Sequence, residues 1–168
     1  MFNIDIRSKA LKIKMVVFDV DGVMTDGSMI YDNNGVQYKT FNVKDGQGIV
    51  MLEKAGIKTA IITAKESGAV LHRFQDLGMS KLFQGVKNKL SALYELMNEF
   101  GIDASEIAYM GDDVPDISVL KQVGLSCCPV DAVNEVKKVC DFISTKRGGR
   151  GAVRELADLI YKIQKLVV

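Results

Sequence analysis

The chain has 168 residues, 48% hydrophobic and 26% charged, with a formal net charge of +1. That length suggests one domain, residues 1–168, with a sizeable core, and the near-neutral balance gives no reason to expect a nucleic acid or a membrane as partner. A lone histidine (His72) and three cysteines without a C-x-x-C pair argue against zinc. The odd number of thiols, the charged Met1–Lys14 segment without a signal-peptide core, and the lack of an apolar run of roughly 20 residues lead us to expect a cytoplasmic protein.

In chain order, Met15-Val16-Val17-Phe18 reads as a buried strand leading into Asp19. Met29 to Val43 then breaks the pattern. Asn33-Asn34-Gly35 lies between β-rich flanks, a strong hairpin signal. Its apolar residues, Met29, Ile30, Tyr31, Val36, Tyr38 and Phe41, are many for a projecting hairpin, so residues 28–43 read as an insertion buried against another subunit. A helix is expected over 46–55, a strand over 59–62 ending at Thr63, and a helix over 67–77. A helix over 89–100, a strand over 107–110 and a helix over 116–123 follow. Short strands near 124–126 and 141–143 precede a last helix over 151–166, with an apolar stripe of Ala152, Leu156, Leu159, Ile163 and Leu166. Strands alternating with helices predict an α/β protein, a Rossmann-like doubly wound parallel sheet whose polar residues gather at the carboxyl ends of the strands.

Two acidic clusters sit at such strand ends. In Phe18-Asp19-Val20-Asp21-Gly22-Val23 two carboxylates lie one residue apart, which is costly unless a cation joins them. Magnesium prefers a few oxygen ligands and leaves places for water and phosphate. One carboxylate can then attack phosphorus while the other serves the leaving alcohol as an acid. In Gly111-Asp112-Asp113-Val114-Pro115-Asp116, Asp112 is the candidate to complete the metal site. Asp113 and Asp116 act behind it or cap the following helix. Thr63 offers its hydroxyl and backbone to phosphate. Lys89 opens a helix, where its charge opposes the helix dipole unless an anion is near.

The ordered set strand-D-x-D-G, strand-Thr, Lys before a helix, strand-G-D-D-x-x-D resembles the haloacid dehalogenase (HAD) superfamily of phosphatases. That resemblance implies Asp19 as nucleophile and metal ligand, and Asp21 as general acid/base with its backbone carbonyl on Mg2+. It places Thr63 and Lys89 on the phosphate and Asp112 as the second metal carboxylate. Positions 22–62 and 64–88 leave no room for a cap domain. The finer resemblance is to the capless branch that includes 3-deoxy-D-manno-octulosonate 8-phosphate (KDO 8-phosphate) phosphatases of lipopolysaccharide biosynthesis. It is carried by Asp19 to Val23 with Thr25-Asp26-Gly27, by Phe41 to Gly46, by Gly111-Asp112-Asp113 and by Gly148 to Glu155.

The branch implies homotetramers joined through their hairpins, a sugar-acid phosphate as substrate, and a substrate loop at Asn42, Val43, Lys44, Asp45 and Gly46. Lys65, Arg73 and Arg150 are the cations suited to the sugar acid's carboxylate. The family often has Thr-Gly-Arg where this chain has Thr63-Ala64-Lys65, and some relatives carry an arginine where Val50 stands. Both departures leave the catalytic positions intact. A nine-carbon sugar acid 9-phosphate is the alternative substrate, and a non-catalytic oligomerisation domain is the alternative outside enzymes.

Overall fold

The computed structural model describes residues 4–165; Met1–Asn3 and Leu166, at the two ends of the elements read above, lie outside the described residues. Helix α1 (Ile4–Ala10) precedes β1 (Met15–Phe18). The hairpin β2 (Ile30–Tyr31) and β3 (Gln37–Tyr38) leads into α2 (Val43–Lys54) and β4 (Lys58–Ile62). Then come α3 (Gly68–Leu77), β5 (Lys81–Phe83), α4 (Lys89–Phe100), β6 (Ile107–Met110) and α5 (Ile117–Leu120). The chain ends in β7 (Leu125–Cys128), α6 (Asn134–Lys137), β8 (Phe142–Ile143) and α7 (Ala152–Lys165).

Six strands form one sheet in the order β5-β4-β1-β6-β7-β8, and every pairing in it is parallel. β1 is fully buried because both faces of the sheet are covered. Val16 and Phe18 face a core built with Ile49 and Leu52 of α2 and Val153, Leu156 and Ile160 of α7. Met15 and Val17 face the opposite core, with Leu93 and Leu96 of α4 and Val119 and Leu120 of α5. From β1 the chain moves to β4 and β5 on one side, then returns to β6 on the other. This reversal puts a crevice beyond the carboxyl end of β1, between its two neighbours.

Three local readings differ from expectation. α2 starts at Val43 rather than near Gly46, because the Asn42 side chain accepts from the backbone N–H groups of Lys44 and Asp45 and caps the helix. β5 is a short, half-buried edge strand that the sequence did not announce. The hairpin turn is not the Asn-Gly type I′ turn, which needs positive φ at both central residues; only Gly35 has it, at 79°. Asp32 builds the turn instead, its carboxylate accepting from Asn34 and Val36 N–H.

Candidate active site

Register alone brings the acidic clusters together. Phe18 is level with Ile61 of β4 and Met110 of β6. Asp19 is therefore level with Ile62, the last residue of β4, and with Gly111, the first beyond β6, one position from Thr63 and from Asp112. Together with Asp21, Lys65, Lys89, Asp113 and Asp116 these residues line a cleft of about 270 Å³.

The core of this cleft is a buried charge network. Asp19 Oδ1 accepts from Val20 N–H at 2.7 Å, and Asp19 Oδ2 meets Lys89 Nζ at 2.8 Å. Lys89 also donates to Asp116 Oδ1 at 2.7 Å, and the Tyr109 hydroxyl donates to the same oxygen at 2.6 Å. Asp116 Oδ2 accepts from the backbone N–H of Asp112 at 3.0 Å and of Asp113 at 3.2 Å. Asp116 is thus wholly buried with two donors on each oxygen. Asp113 is exposed and caps the short turn that follows, accepting from Val114 N–H at 2.7 Å.

Burial pushes the Asp19 carboxyl up to about 6, with repulsion from Asp116 adding to it and Lys89 opposing. Asp112 is pushed up to about 7, by burial first and then by Asp19, Asp116 and Asp113. Lys89 is held above the ordinary lysine range: burial works against its charge, but Asp19 and Asp116 outweigh it. The cleft therefore gathers more negative charge than its lysines neutralise, which is the environment that draws a divalent cation.

One oxygen each from Asp19, Asp112 and Asp116 lies within 4.8 Å of the others, close enough to share an ion. The oxygens of Asp116 are already taken by four donors, so Asp19 and Asp112 are the better donors and Asp116 the brace behind them. The backbone carbonyl of Asp21 accepts no hydrogen bond among the described residues.

Thr63 N–H donates to Phe83 O at 2.9 Å, and its carbonyl accepts from Val86 N–H at 3.1 Å, so the backbone offered to phosphate at the sequence level is in use. Its hydroxyl remains in the cleft.

Most of the expected substrate-binding residues are elsewhere in the single chain. Asn42 is spent on capping α2, and Val43 is 82% exposed at the start of that helix. Asp45 is buried, its two oxygens accepting from Gly151 N–H at 3.2 Å and Arg154 N–H at 2.8 Å at the start of α7. Gly46 lies inside α2, packed under the guanidinium of Arg73. Arg73 donates to Asn42 O at 3.2 Å and stacks over Phe41, 5.8 Å from its ring centre. Lys44 and Arg150 line a separate groove along α7, larger than the cleft at about 550 Å³, and Arg150 pairs with Asp26 at 3.1 Å. Only Lys65 of the proposed carboxylate-binding cations lines the cleft itself.

Sequence reasoning missed two residues. Tyr109 is a fully buried tyrosine in an apolar strand, and its hydroxyl required a partner near that strand's end. Lys39, next to β3, forms an ion pair with Asp21 Oδ1; no local pattern marked it.

The Gly148-Gly149 pair also has a clear structural reason. A Cβ at position 148 would sit 1.8 Å from Gly22 O, and one at 149 would sit 2.5 Å from Thr25 C. Gly149 N–H donates to Val23 O at 2.8 Å. The motif therefore presses directly on the loop that follows Asp21, where no side chain fits.

Comparison with known proteins agrees with this geometry. Residues 81–156 match a haloacid dehalogenase-like hydrolase family model. The chain is 40% identical over 158 residues to the 3-deoxy-D-manno-octulosonate 8-phosphate phosphatase of Haemophilus influenzae, covering 94% of this chain and 88% of that protein. Among solved structures it is similar to the same phosphatase from Yersinia pestis, with TM-score 0.95, 40% identity and coverage of 96% and 88% of the two chains. It is also similar to that from Moraxella catarrhalis, solved in complex with magnesium, phosphate and KDO, with TM-score 0.94, 42% identity and coverage of 96% and 92%.

Proposed function

Because the chain belongs to the haloacid dehalogenase-like hydrolases, in the group of 3-deoxy-D-manno-octulosonate 8-phosphate phosphatases, we propose that it hydrolyses KDO 8-phosphate to KDO and phosphate, a step of lipopolysaccharide biosynthesis, through an aspartyl-phosphate on Asp19. The observation that carries the reading is the convergence of Asp19, Asp21, Thr63, Lys89 and Asp112 in one cleft at the carboxyl ends of β1, β4 and β6. The Moraxella relative binds magnesium, phosphate and KDO. Here Asp19, Asp112 and the carbonyl of Asp21 would hold the magnesium ion, which when bound neutralises carboxylate and phosphoryl charge as a Lewis acid.

In the first half-reaction an Asp19 oxygen attacks phosphorus, and the ester oxygen leaves with a proton from Asp21. KDO departs and a phosphorus–oxygen bond to Asp19 remains. In the second, Asp21 takes a proton from water as that water attacks phosphorus, and the bond to Asp19 breaks. Lys89 and the Thr63 hydroxyl hold the equatorial oxygens. Asp116 keeps Lys89 charged and in place, supported by Tyr109 and the two amides of the loop.

The cleft is open, and neighbouring copies are the natural closure. The hairpin supports this reading: Ile30, Tyr31, Val36 and Tyr38 are each about half exposed, between 49% and 57%. We place these side chains in the contacts of a cytoplasmic homotetramer. Phosphate release with magnesium, measured on KDO 8-phosphate, a nine-carbon sugar acid 9-phosphate and an aryl phosphate, tests the substrate. A preference for KDO 8-phosphate of about a hundredfold in kcat/KM, roughly 2.7 kcal/mol, is expected; equal turnover of all three removes the assignment. Sedimentation of a Tyr31→Asp, Tyr38→Asp variant tests the assembly, with a monomer expected.

A further inference from the structure

Lys39 follows β3 at the base of a hairpin whose neighbouring side chains face water. Tyr38 is 53% exposed, yet the Lys39 side chain is only 2% exposed. Its ammonium reaches back to Asp21 Oδ1, and that oxygen is its one hydrogen-bond acceptor among the described residues. Burying an ammonium is expensive, and one buried ion pair rarely repays it in stability: an apolar pair of the same size does as well or better. A lysine kept in this place therefore serves something other than the core.

What it serves follows from what it touches. Asp21 lines the cleft one residue beyond Asp19 and its neighbour Val20, with its side chain 24% exposed. Lys39 holds Oδ1. Oδ2 has no hydrogen-bond partner among the described residues. A carboxylate held by one oxygen keeps one rotamer and leaves the other oxygen for proton transfer. Without the ammonium, Asp21 is free to rotate toward solvent, and both of its proton transfers lose their geometry.

We propose that Lys39 is a positioning residue for Asp21, fixing the carboxylate that protonates the leaving alcohol and then deprotonates the attacking water. This rests on the phosphatase reading above. Lys39 touches neither substrate nor phosphorus in this scheme; it acts only through Asp21.

The test uses the magnesium-loaded full chain and two esters. The alkyl ester KDO 8-phosphate has a leaving group that needs a proton, whereas 4-nitrophenyl phosphate has one that leaves without it. For Lys39→Met, kcat on KDO 8-phosphate is expected to fall at least thirtyfold, within the range that general acid catalysis supplies, with KM within about threefold. The pre-steady-state burst of nitrophenolate, which reports phosphorylation of Asp19, is expected to fall at least tenfold less. Lys39→Arg should recover most of the alkyl-ester rate, because a cation again meets Asp21.

Equal losses on both esters, or no loss on either, would overturn the proposal. Melting temperature monitors the fold, and Lys39→Gln replaces the methionine variant if that one does not fold. Asp19→Asn and Asp21→Asn separate the two levels of the argument. Turnover by Asp19→Asn means the covalent reading itself has failed. A dead Asp19→Asn with a leaving-group effect in Asp21→Asn but none in Lys39→Met means only the role of Lys39 has failed.

Discussion

Replacing Asp116 by Asn changes one oxygen to an amide nitrogen and removes one charge. The cost can be worked from its four donors. If the new nitrogen faces Lys89 and Tyr109, two side-chain donors lose their acceptor at that oxygen. If it faces the other way, the backbone N–H groups of Asp112 and Asp113 lose theirs. Lys89 keeps Asp19 as its partner, so the first orientation orphans the Tyr109 hydroxyl and weakens the hold on Lys89, while the second orphans the two backbone donors, at about 1–3 kcal/mol for each bond lost. Relief of repulsion on Asp19 and Asp112 offsets part of this. A net loss of about 2–4 kcal/mol is expected, or roughly 4–16 °C in Tm for a chain of this size. Tyr109→Phe removes a single donor and should lose only about 1 kcal/mol. Differential scanning calorimetry of the two variants without added metal checks the ratio. Phosphate release should show kcat down at least a hundredfold for Asp116→Asn, because Lys89 loses its anchor, and only a few-fold for Tyr109→Phe. An Asp116→Asn protein that melts within 2 °C of the parent and turns over normally would refute the four-donor account.

Asp19→Asn should keep the parent Tm within a few degrees and show no turnover above background in phosphate release. Gly148→Ala places a methyl group on Gly22 O, 1.8 Å away, so the loop or α7 must shift; a loss of about 1–3 kcal/mol by denaturant titration is expected, with kcat falling because Asp21 moves. Glu155 accepts from the Ser144 hydroxyl and from Thr145 N–H and hydroxyl. Burial tends to raise its carboxyl, yet these bonds win and hold it below the ordinary 4.5. A carboxyl lowered in the folded state adds stability above 4.5 and loses it as pH falls through the lower folded value. The Tm gap between Glu155→Gln and the parent should therefore be widest near pH 7 and close as the solution is acidified below pH 4.5.

The sheet was legible because each central strand is a short, mainly apolar run, and such runs have few other uses. The main site was legible for a related reason: Asp19 and Thr63 directly follow such runs and Asp112 follows one after a single glycine, so placing the strands placed the residues. Lys39 was not legible, since its pairing with Asp21 depends on how the hairpin folds back, which no spacing encodes. The polar side chains of the 42–46 segment suit a sugar, but Asn42 ahead of a helical run is also a capping signal, and capping is how the fold uses it. Asp45 looked available for the same reason. Its burial against the amino end of α7 is a contact between positions 45 and 151–154, visible only once both helices pack. Asp116 read equally well as a cap or as a brace; it does both, through the same carboxylate.

The close fit of Gly148 and Gly149 against the loop after Asp21 bears on when during synthesis the protein can work. β1, which leads into Asp19, leaves the ribosome before both of its partner strands and well before the glycines that seat the loop after it. β6 closes the second side of β1 only past position 107, and the loop gains its support only near position 148. Contacts this distant in sequence form slowly and late. A nascent chain halted before position 148 would carry every acidic residue of the cleft and still leave the Asp21 loop without its floor.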